Sequence, residues 1–240
     1  LLKAKKKDIK IKTRKLNFRI NKNKPIAIAD DKIFHFQYPE TREFLNEIGI
    51  PTLSWDIFND SEIPKEARAI IIPGGFPERY SRHISSSKKS LNSLREFQKN
   101  GLIYAECGGM MILGDSIKDE EGNLHKMAGI LPYKSRKGKL TVGYRYIKGL
   151  KDSLIIKKNQ KARGHEFHYW QIETSQNKLN NIENGIIKQL NNPWKTKFWG
   201  EKYRNEGWST RNIHASWVHI HLPSNDKVSE NFIKSLQNTN

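Results

Sequence analysis

The apolar positions of this chain change their spacing part-way along it. IAIA at 26–29, IPTLSW at 50–55, AIIIP at 69–73 and LIYA at 102–105 are short runs of strand length. The unbroken character of AIII suits a parallel strand buried on both faces. Between these runs, Phe44, Leu45 and Ile48 share one face of a helix that Pro39 starts and Gly49 ends, and a second helix is predicted over 88–99. Strands alternating with helices through short connections predict a doubly wound α/β layer to about residue 115. From 123 to 175 the segments KMAGILPY, KLTVGYRYIKGL and RGHEFHYWQIE favour β structure, predicting partly antiparallel strands that extend the sheet. Residues 176–207, rich in Asn, Lys and Trp, carry no clear pattern. Period two returns in NIHASWVHIHL at 212–222, with Ile213, Ala215, Trp217 and either Val218 or His219 competing for the inner face. Val228, Phe232, Ile233 and Leu236 then mark a closing helix over 226–236.

Two punctuated sites interrupt this pattern. GLIYAECGGMMIL at 101–113 reads as strand, tight turn and helix, with the sole cysteine of the chain, Cys107, at the turn. A nucleophile so placed is lifted from the sheet, and the N–H groups and dipole at the following helix start favour thiolate and face incoming negative charge. PGGFPE at 73–78 sets two glycines at the end of a buried strand, at the edge where ligands of open α/β sheets bind. Cys107 needs a base. His165 and His168 lie in RGHEFH, and His214, His219 and His221 in the late strand. His219 is preferred because it stands just before the chain leaves that strand, and His221 alternates onto the same face. His35, His83 and His125 read as loop or solvated histidines. HEFH and HIH have spacings seen in metal sites, but no second cysteine, HExxH or paired Asp cluster accompanies them, so no metal is expected. A thiolate attacking a carbonyl, an oxyanion held by Gly108 and an N–H of the Gly74–Gly75 loop, and a proton-shuttling histidine together predict amide hydrolysis or acyl transfer.

Composition adds boundaries. At 240 residues the chain can bury a proper core, and its ten Phe, eight Tyr and six Trp agree with a globular protein. No apolar run reaches the length of a membrane span, and one cysteine leaves no internal disulfide framework, so a soluble, cytoplasmic protein is expected. The formal charge of +18 invites a nucleic-acid reading, yet lysine is dense only before Pro25 and elsewhere is interspersed with acids. A polyanionic small molecule fits that surface equally well, and no nucleic-acid or membrane partner is expected. Residues 1–24 read as a basic linker or the end of a preceding domain, and the opening at Leu1 suggests a piece of a longer polypeptide.

FHFQYPE at 34–40, PGGFPE at 73–78, YAECGGMM at 104–111, RGHEFHYW at 163–170 and NIHASWVHIH at 212–221, in that order, make residues 25–240 resemble the glutamine amidotransferase domain of the cobyrinic acid a,c-diamide synthase family. The resemblance implies a flavodoxin-like class I glutamine amidotransferase fold, a mostly parallel sheet flanked by helices with an antiparallel extension. It implies Cys107 as nucleophile and His219 as the residue that raises its nucleophilicity, with Gly75 and Gly108 the expected oxyanion hole from the reading of the two loops. Glutamine is the implied ammonia donor, and cobyrinate the acceptor, amidated at its a and c carboxylates after activation by ATP. Hydrogenobyrinate or a nickel tetrapyrrole are alternative acceptors, and a catalytically idle α/β interaction module is the alternative to an enzyme. ATP and Mg2+ are implied for an N-terminal synthetase domain, since no GxxxxGK[ST] loop occurs here, and no cofactor is expected on this domain. Many class I amidotransferases carry Glu two residues after the histidine. Here that position is His221, so a complete Cys-His-Glu triad is not expected. Glu78, Glu106, His165, Glu166 and His168 are candidates for substrate contact or for packing.

Overall fold

The structure is a computed structural model that describes residues 24–174 and 191–237. The expected basic linker at 1–24, Lys24 apart, and the 176–190 part of the patternless stretch lie outside the described residues. The short apolar runs form one sheet: β1 (Ile26–Ala29), β2 (Thr52–Trp55), β3 (Ala69–Ile72), β4 (Leu102–Glu106) and, from the end of the chain, β11 (Trp208–Ser209) and β12 (Ile213–Ser216). Their order is β11-β12-β4-β3-β1-β2, and all neighbours run parallel except β11, which is antiparallel to β12. Every residue of β1, β3, β4 and β12 is buried, which is why β1, β3 and β4 show apolar runs rather than alternation.

The helices cover that sheet. Helix α1 (Pro39–Glu47) buries Phe44 and Leu45, and Gly49 after it adopts φ 79, a left-handed conformation that glycine tolerates best. Helices α2 (Ser81–Ser86), α3 (Lys88–Phe97) and α4 (Gly108–Met111) follow, and α5 (Asp226–Gln237) closes the chain with the apolar residues its spacing predicts. Alternate residues of β4 feed opposite sides. Ile103, Ala105 and Cys107 join one core cluster, while Leu102 and Tyr104 join the other, with Phe232 and Leu236 of α5.

The antiparallel run does not lengthen this sheet at its edge. It makes a second one from β5 (Ser116–Lys118), β6 (Leu124–Lys126), β7 (Tyr133–Gly149), β8 (Lys161–Thr174), β9 (Trp194–Lys197) and β10 (Arg204–Glu206). β7 and β8 pair as a long antiparallel ribbon with a register shift between Lys137 and Thr141. The two sheets meet through an isolated bridge in which the main chains of His165 and His219 exchange hydrogen bonds of 3.1 and 2.8 Å. The strand expected over 212–222 is correspondingly shorter. After Ser216 the Trp217 N–H donates to the Glu206 carboxylate and the Val218 N–H to Ser216 Oγ, so the ladder ends and the chain turns toward β8.

Glycine sets how closely the loops at the carboxyl edge approach. A Cβ on Gly109 would overlap the Ile72 carbonyl, and one on Gly108 would lie 2.6 Å from the Gly75 carbonyl oxygen. Gly109→Ala is therefore expected to destabilise the protein by roughly 1–3 kcal/mol through overpacking, read as a lower urea midpoint at unchanged slope.

Candidate active site

Three adjacent strand ends build the site. β3 delivers the Pro73–Gly75 loop, β4 delivers Cys107, and the chain beyond β12 delivers His219. Cys107 follows the last residue of β4, with φ 47 and ψ −111. A side chain in that region costs on the order of 1–3 kcal/mol, and it persists here because the Cys107 N–H donates to the Ser216 carbonyl at 2.7 Å while its own carbonyl accepts from Met110 and Met111. The sharp turn expected of Gly108 and Gly109 is thus made by Cys107 itself. The two glycines serve close approach to β3 and its loop. Helix α4 is a single turn, so local polarity at the thiol comes from its first N–H groups, which have no partner within the helix, rather than from a long dipole.

His219 is 2% exposed and spans the two sides of β4. On one side it interacts with Cys107; on the other its Nδ1 stands 3.6 Å from Glu106 Oε2. Burial by itself disfavours the charged ring, but the hydrogen bonds and negative charge of Cys107 and Glu106 outweigh it and raise the pKa from 6.5 to about 10. The ring is also confined by shape. His165 stacks on it with centroids 4.9 Å apart and planes 14° from parallel, and a Cβ on Gly74 would overlap its Cε1. Tyr38 Oη lies 3.3 Å from His165 Nδ1. Burial, then the charges of Glu106 and Glu40, raise the Tyr38 pKa to about 12. The His165 pKa is lowered, by burial first and then by repulsion from His219.

The RGHEFH motif divides by strand alternation. His165 faces His219, and the Phe167 carbonyl lies 3.9 Å from Cys107 Sγ. Glu166 and His168 point to the other side of β8. There Glu166 is fully buried between Arg145 (2.9 Å) and Arg204 (2.7 Å), and His168 stacks on Trp217 with centroids 4.1 Å apart. Burial opposes the Glu166 charge, but His168, Arg204 and Arg145 together hold its carboxyl below the ordinary range. Glu78 sits in the short helix after the glycine loop, where burial pushes its pKa up to about 7. Its side chain is engaged by Trp170.

Other histidines separate cleanly. His221 does not join His219 at the thiol; it meets Tyr38 edge-on and lies 3.9 Å from Glu40. His214 is buried in β12 against Ser153, and burial lowers its pKa to about 3. His35 and His83 contact the backbone carbonyls of Lys32 and Phe58, and His125 pairs with Asp119 at 2.6 Å. Among the described residues no group of three or more His, Cys, Asp or Glu is arranged to hold a metal ion. No helix of the described residues is long and apolar enough to cross a membrane.

A cavity of about 490 Å³ opens on His219, walled by Tyr38, Tyr144, Arg163, His165 and His221. A larger one, about 770 Å³, lies by Arg145, His168 and Trp217 and does not include His219. Gly164 and Tyr38 are site residues that the sequence reading did not single out, and Gly74 was named only as part of the oxyanion loop. A Cβ on Gly164 would lie 2.5 Å from the His219 carbonyl. All three sit inside the recurring motifs, but their role is to shape the space around His219, which spacing does not reveal.

Residues 25–227 match the CobB/CobQ-like glutamine amidotransferase domain. The chain belongs to that family. It is 32% identical over 200 residues to the cobyrinate a,c-diamide synthase of Caldanaerobacter subterraneus subsp. tengcongensis, covering 82% of this chain and 42% of that protein. It is 30% identical over 214 residues to the enzyme of the same name from Salmonella typhimurium, covering 87% of this chain and 44% of that one. This amidotransferase domain thus spans less than half the length of these curated relatives. Among solved structures, PurLQS from Thermotoga maritima superposes with a TM-score of 0.60 at 14% identity, over 90% of this chain and 98% of that one. A glutamine amidotransferase from the same organism gives 0.55 at 13% identity, over 89% and 82%. At such identity the likeness shows the fold, the α/β class I amidotransferase architecture expected from the sequence.

The two displaced histidines yield an expected outcome. In an NMR titration His219 should stay protonated through neutral pH and lose its proton near pH 10, while His214 stays neutral until about pH 3. Because the folded pKa of His219 is raised, its contribution to stability is complete below pH 6.5 and is lost as pH rises through about 10. For His214 the sign reverses: its contribution is present above pH 6.5 and lost as pH falls through about 3.

Proposed function

We propose that this domain hydrolyses glutamine and supplies the ammonia for ATP-dependent amidation of the a and c carboxylates of cobyrinate in corrinoid biosynthesis. The observation that carries the reading is Cys107 held in a strained turn against a buried, protonated His219. The raised pKa of His219 keeps its ring protonated at neutral pH. The Cys107 sulfur attacks the side-chain amide carbon of glutamine, and the carbonyl π electrons move to oxygen. Backbone N–H groups of Gly75 and Gly108, whose main chains approach closely, are assigned to that oxyanion. As the carbonyl re-forms, the C–N bond breaks and His219 delivers its proton to the departing nitrogen, releasing ammonia and leaving a glutamyl thioester. Neutral His219 then takes a proton from water, hydroxide adds to the thioester carbon, and the C–S bond breaks to give glutamate and the starting Cys107–His219 pair.

The acceptor half of the reaction is assigned to the portion of the relatives' length that this chain does not span. The described residues offer no acidic cluster for Mg2+, and the sequence has no GxxxxGK[ST] loop, so no step is routed through ATP or Mg2+ here. Cobyrinate carries many carboxylates, and a chain with formal charge +18 complements such a polyanion. The names of the relatives support cobyrinate over the hydrogenobyrinate and nickel tetrapyrrole alternatives.

Intact mass after exposure to a glutamine-like diazoketone tests the glutaminase reading. One adduct is expected on the parent chain and none on Cys107→Ser, with glutamine turnover falling at least about 1,000-fold in the variant. Absence of any adduct on the parent, with a synthetase half supplied, would favour the idle module.

A further inference from the structure

The Cys107–His219 pair is short of one component. An imidazole that exchanges a proton with a thiol must be held in one tautomer and one orientation by an acceptor at its other nitrogen, and the position two residues after His219 is occupied by His221, which faces Tyr38 and Glu40 instead. The structure assigns that task to Glu106: the residue directly before the nucleophile is the positioning carboxylate of His219. This rests on the glutaminase reading above and adds to it the residue that orients the base.

Strand geometry makes the arrangement necessary once His219 sits at the sheet edge. Successive side chains of β4 point to opposite faces, so Glu106 cannot share a side with Cys107. It shares one with Tyr104. A group at the strand's end that contacts Cys107 with one ring nitrogen therefore presents the other to Glu106. The carboxylate is itself prepared. It is 5% exposed, and its Oε1 accepts from Tyr104 Oη and from the Ile220 N–H at 2.9 Å. Those two donors fix the plane of the carboxylate and leave Oε2 directed at His219 Nδ1, 3.6 Å away. Ile220 is the residue after His219, so one carboxylate grips both the ring and the main chain that carries it.

Burial supplies the energetic argument. A carboxylate this deep is costly unless a cation answers it. Lys and Arg do not fill that role: Arg42, on the same cavity wall, is paired with Asp30 at 2.8 Å, and Arg145 with Glu166. The titratable groups facing the pair are Cys107 and Tyr104 from β4, His165 from β8, and Tyr38 before α1. The His165 ring stacks on His219 rather than bonding to Nδ1, and the Tyr38 hydroxyl is directed at His165. Glu106 takes no proton in the reaction. The proton moves between sulfur, His219 and the leaving nitrogen, while Glu106 holds Nδ1–H in place and stabilises the imidazolium.

The experiment follows capture of the diazoketone by intact mass, as a rate against pH from 5 to 10, in the parent chain, Glu106→Gln, Glu106→Asp and His219→Asn, and in Glu106→Gln combined with His219→Asn. Glu106→Gln keeps an acceptor for Ile220 but removes the charge. Its capture rate at pH 7 is expected to fall roughly 10- to 1,000-fold, and the alkaline midpoint of its profile, where His219 loses its proton, to move down by about one pH unit, because an imidazolium without its carboxylate gives up its proton more readily. Glu106→Asp should recover part of the rate with a smaller shift in the same direction. In the His219→Asn background Glu106→Gln should cost less than about two-fold, since its effect passes through the ring. A purely structural role predicts equal losses in both backgrounds and an unmoved profile, and that result would overturn the assignment. If Glu106→Gln does not fold, as judged by its thermal melt, Glu106→Asp carries the same test, and a profile matching the parent in midpoint and rate refutes the role. Loss of capture in the parent itself would sink the glutaminase reading and this assignment together; parental capture with unaltered Glu106 variants sinks the assignment alone.

Discussion

A charged imidazole in a place that water scarcely reaches is stable only between groups that answer its charge, and the architecture of this domain is arranged to supply them. His219 sits over the end of β4 with the Cys107 sulfur on one side and the Glu106 carboxylate on the other. Cys107 and Glu106 are consecutive in sequence yet face opposite layers of the sheet, because a strand sends neighbouring side chains apart. The edge of a parallel sheet is where a third group can touch both. The position of His219 is in turn set by the early end of β12, whose next N–H groups are taken by Glu206 and Ser216, and by the main-chain exchange with His165 in the second sheet.

That dependence explains why the second sheet matters to chemistry carried by the first. Its long β7–β8 ribbon is a two-sided wall. One side of β8 brings His165 against His219 and the Phe167 carbonyl toward Cys107. The other buries Glu166 between two arginines, a buried ion pair that anchors the ribbon from behind. Removing one partner of such a cluster leaves an unanswered buried charge, a large cost compared with the weak pairs at the surface, such as Lys99–Glu96. The glycines of the two loops act in the same sense. At Gly74, Gly75, Gly108 and Gly109 a side chain would collide with the backbone or with His219 itself, so the absence of Cβ atoms is what allows Cys107, His219 and the glycine loop to converge.

Membership of the amidotransferase family and coverage of less than half of the curated relatives agree with the proposed division of labour, in which this domain liberates ammonia and a separate unit consumes it. Chemistry of this kind makes local demands: a thiolate, an acid to protonate a poor leaving group, and an environment dry enough to strengthen both. Under the proposed function these demands fall on main-chain geometry and a handful of side chains from three strand ends.

Periodicity was sufficient for the buried parallel strands, helices α1, α3 and α5, and the elbow at Cys107, because these features are local: run length, apolar spacing and turn residues report directly on backbone preference. The same reading placed Cys107 and His219 as a pair, and the class I amidotransferase fold followed from the motifs in order. What it could not contain were distances between residues remote in sequence. NIHASWVHIHL reads as period two with Trp217 and Val218 adjoining at a phase break, and its strand stops at Ser216 because the Glu206 carboxylate captures the Trp217 N–H. The β-rich stretch was legible as strands, yet whether they joined the first sheet or built another depended on pairing, which alternation does not specify. The role of Glu106 shows the limit most sharply. The sequence by itself determined that an acid precedes the nucleophile and that none follows His219 at the second position. Only the tertiary structure decided that the two meet, because strand alternation sends the carboxylate away from the thiol and a chain segment more than a hundred residues later carries an imidazole over the sheet edge to join them.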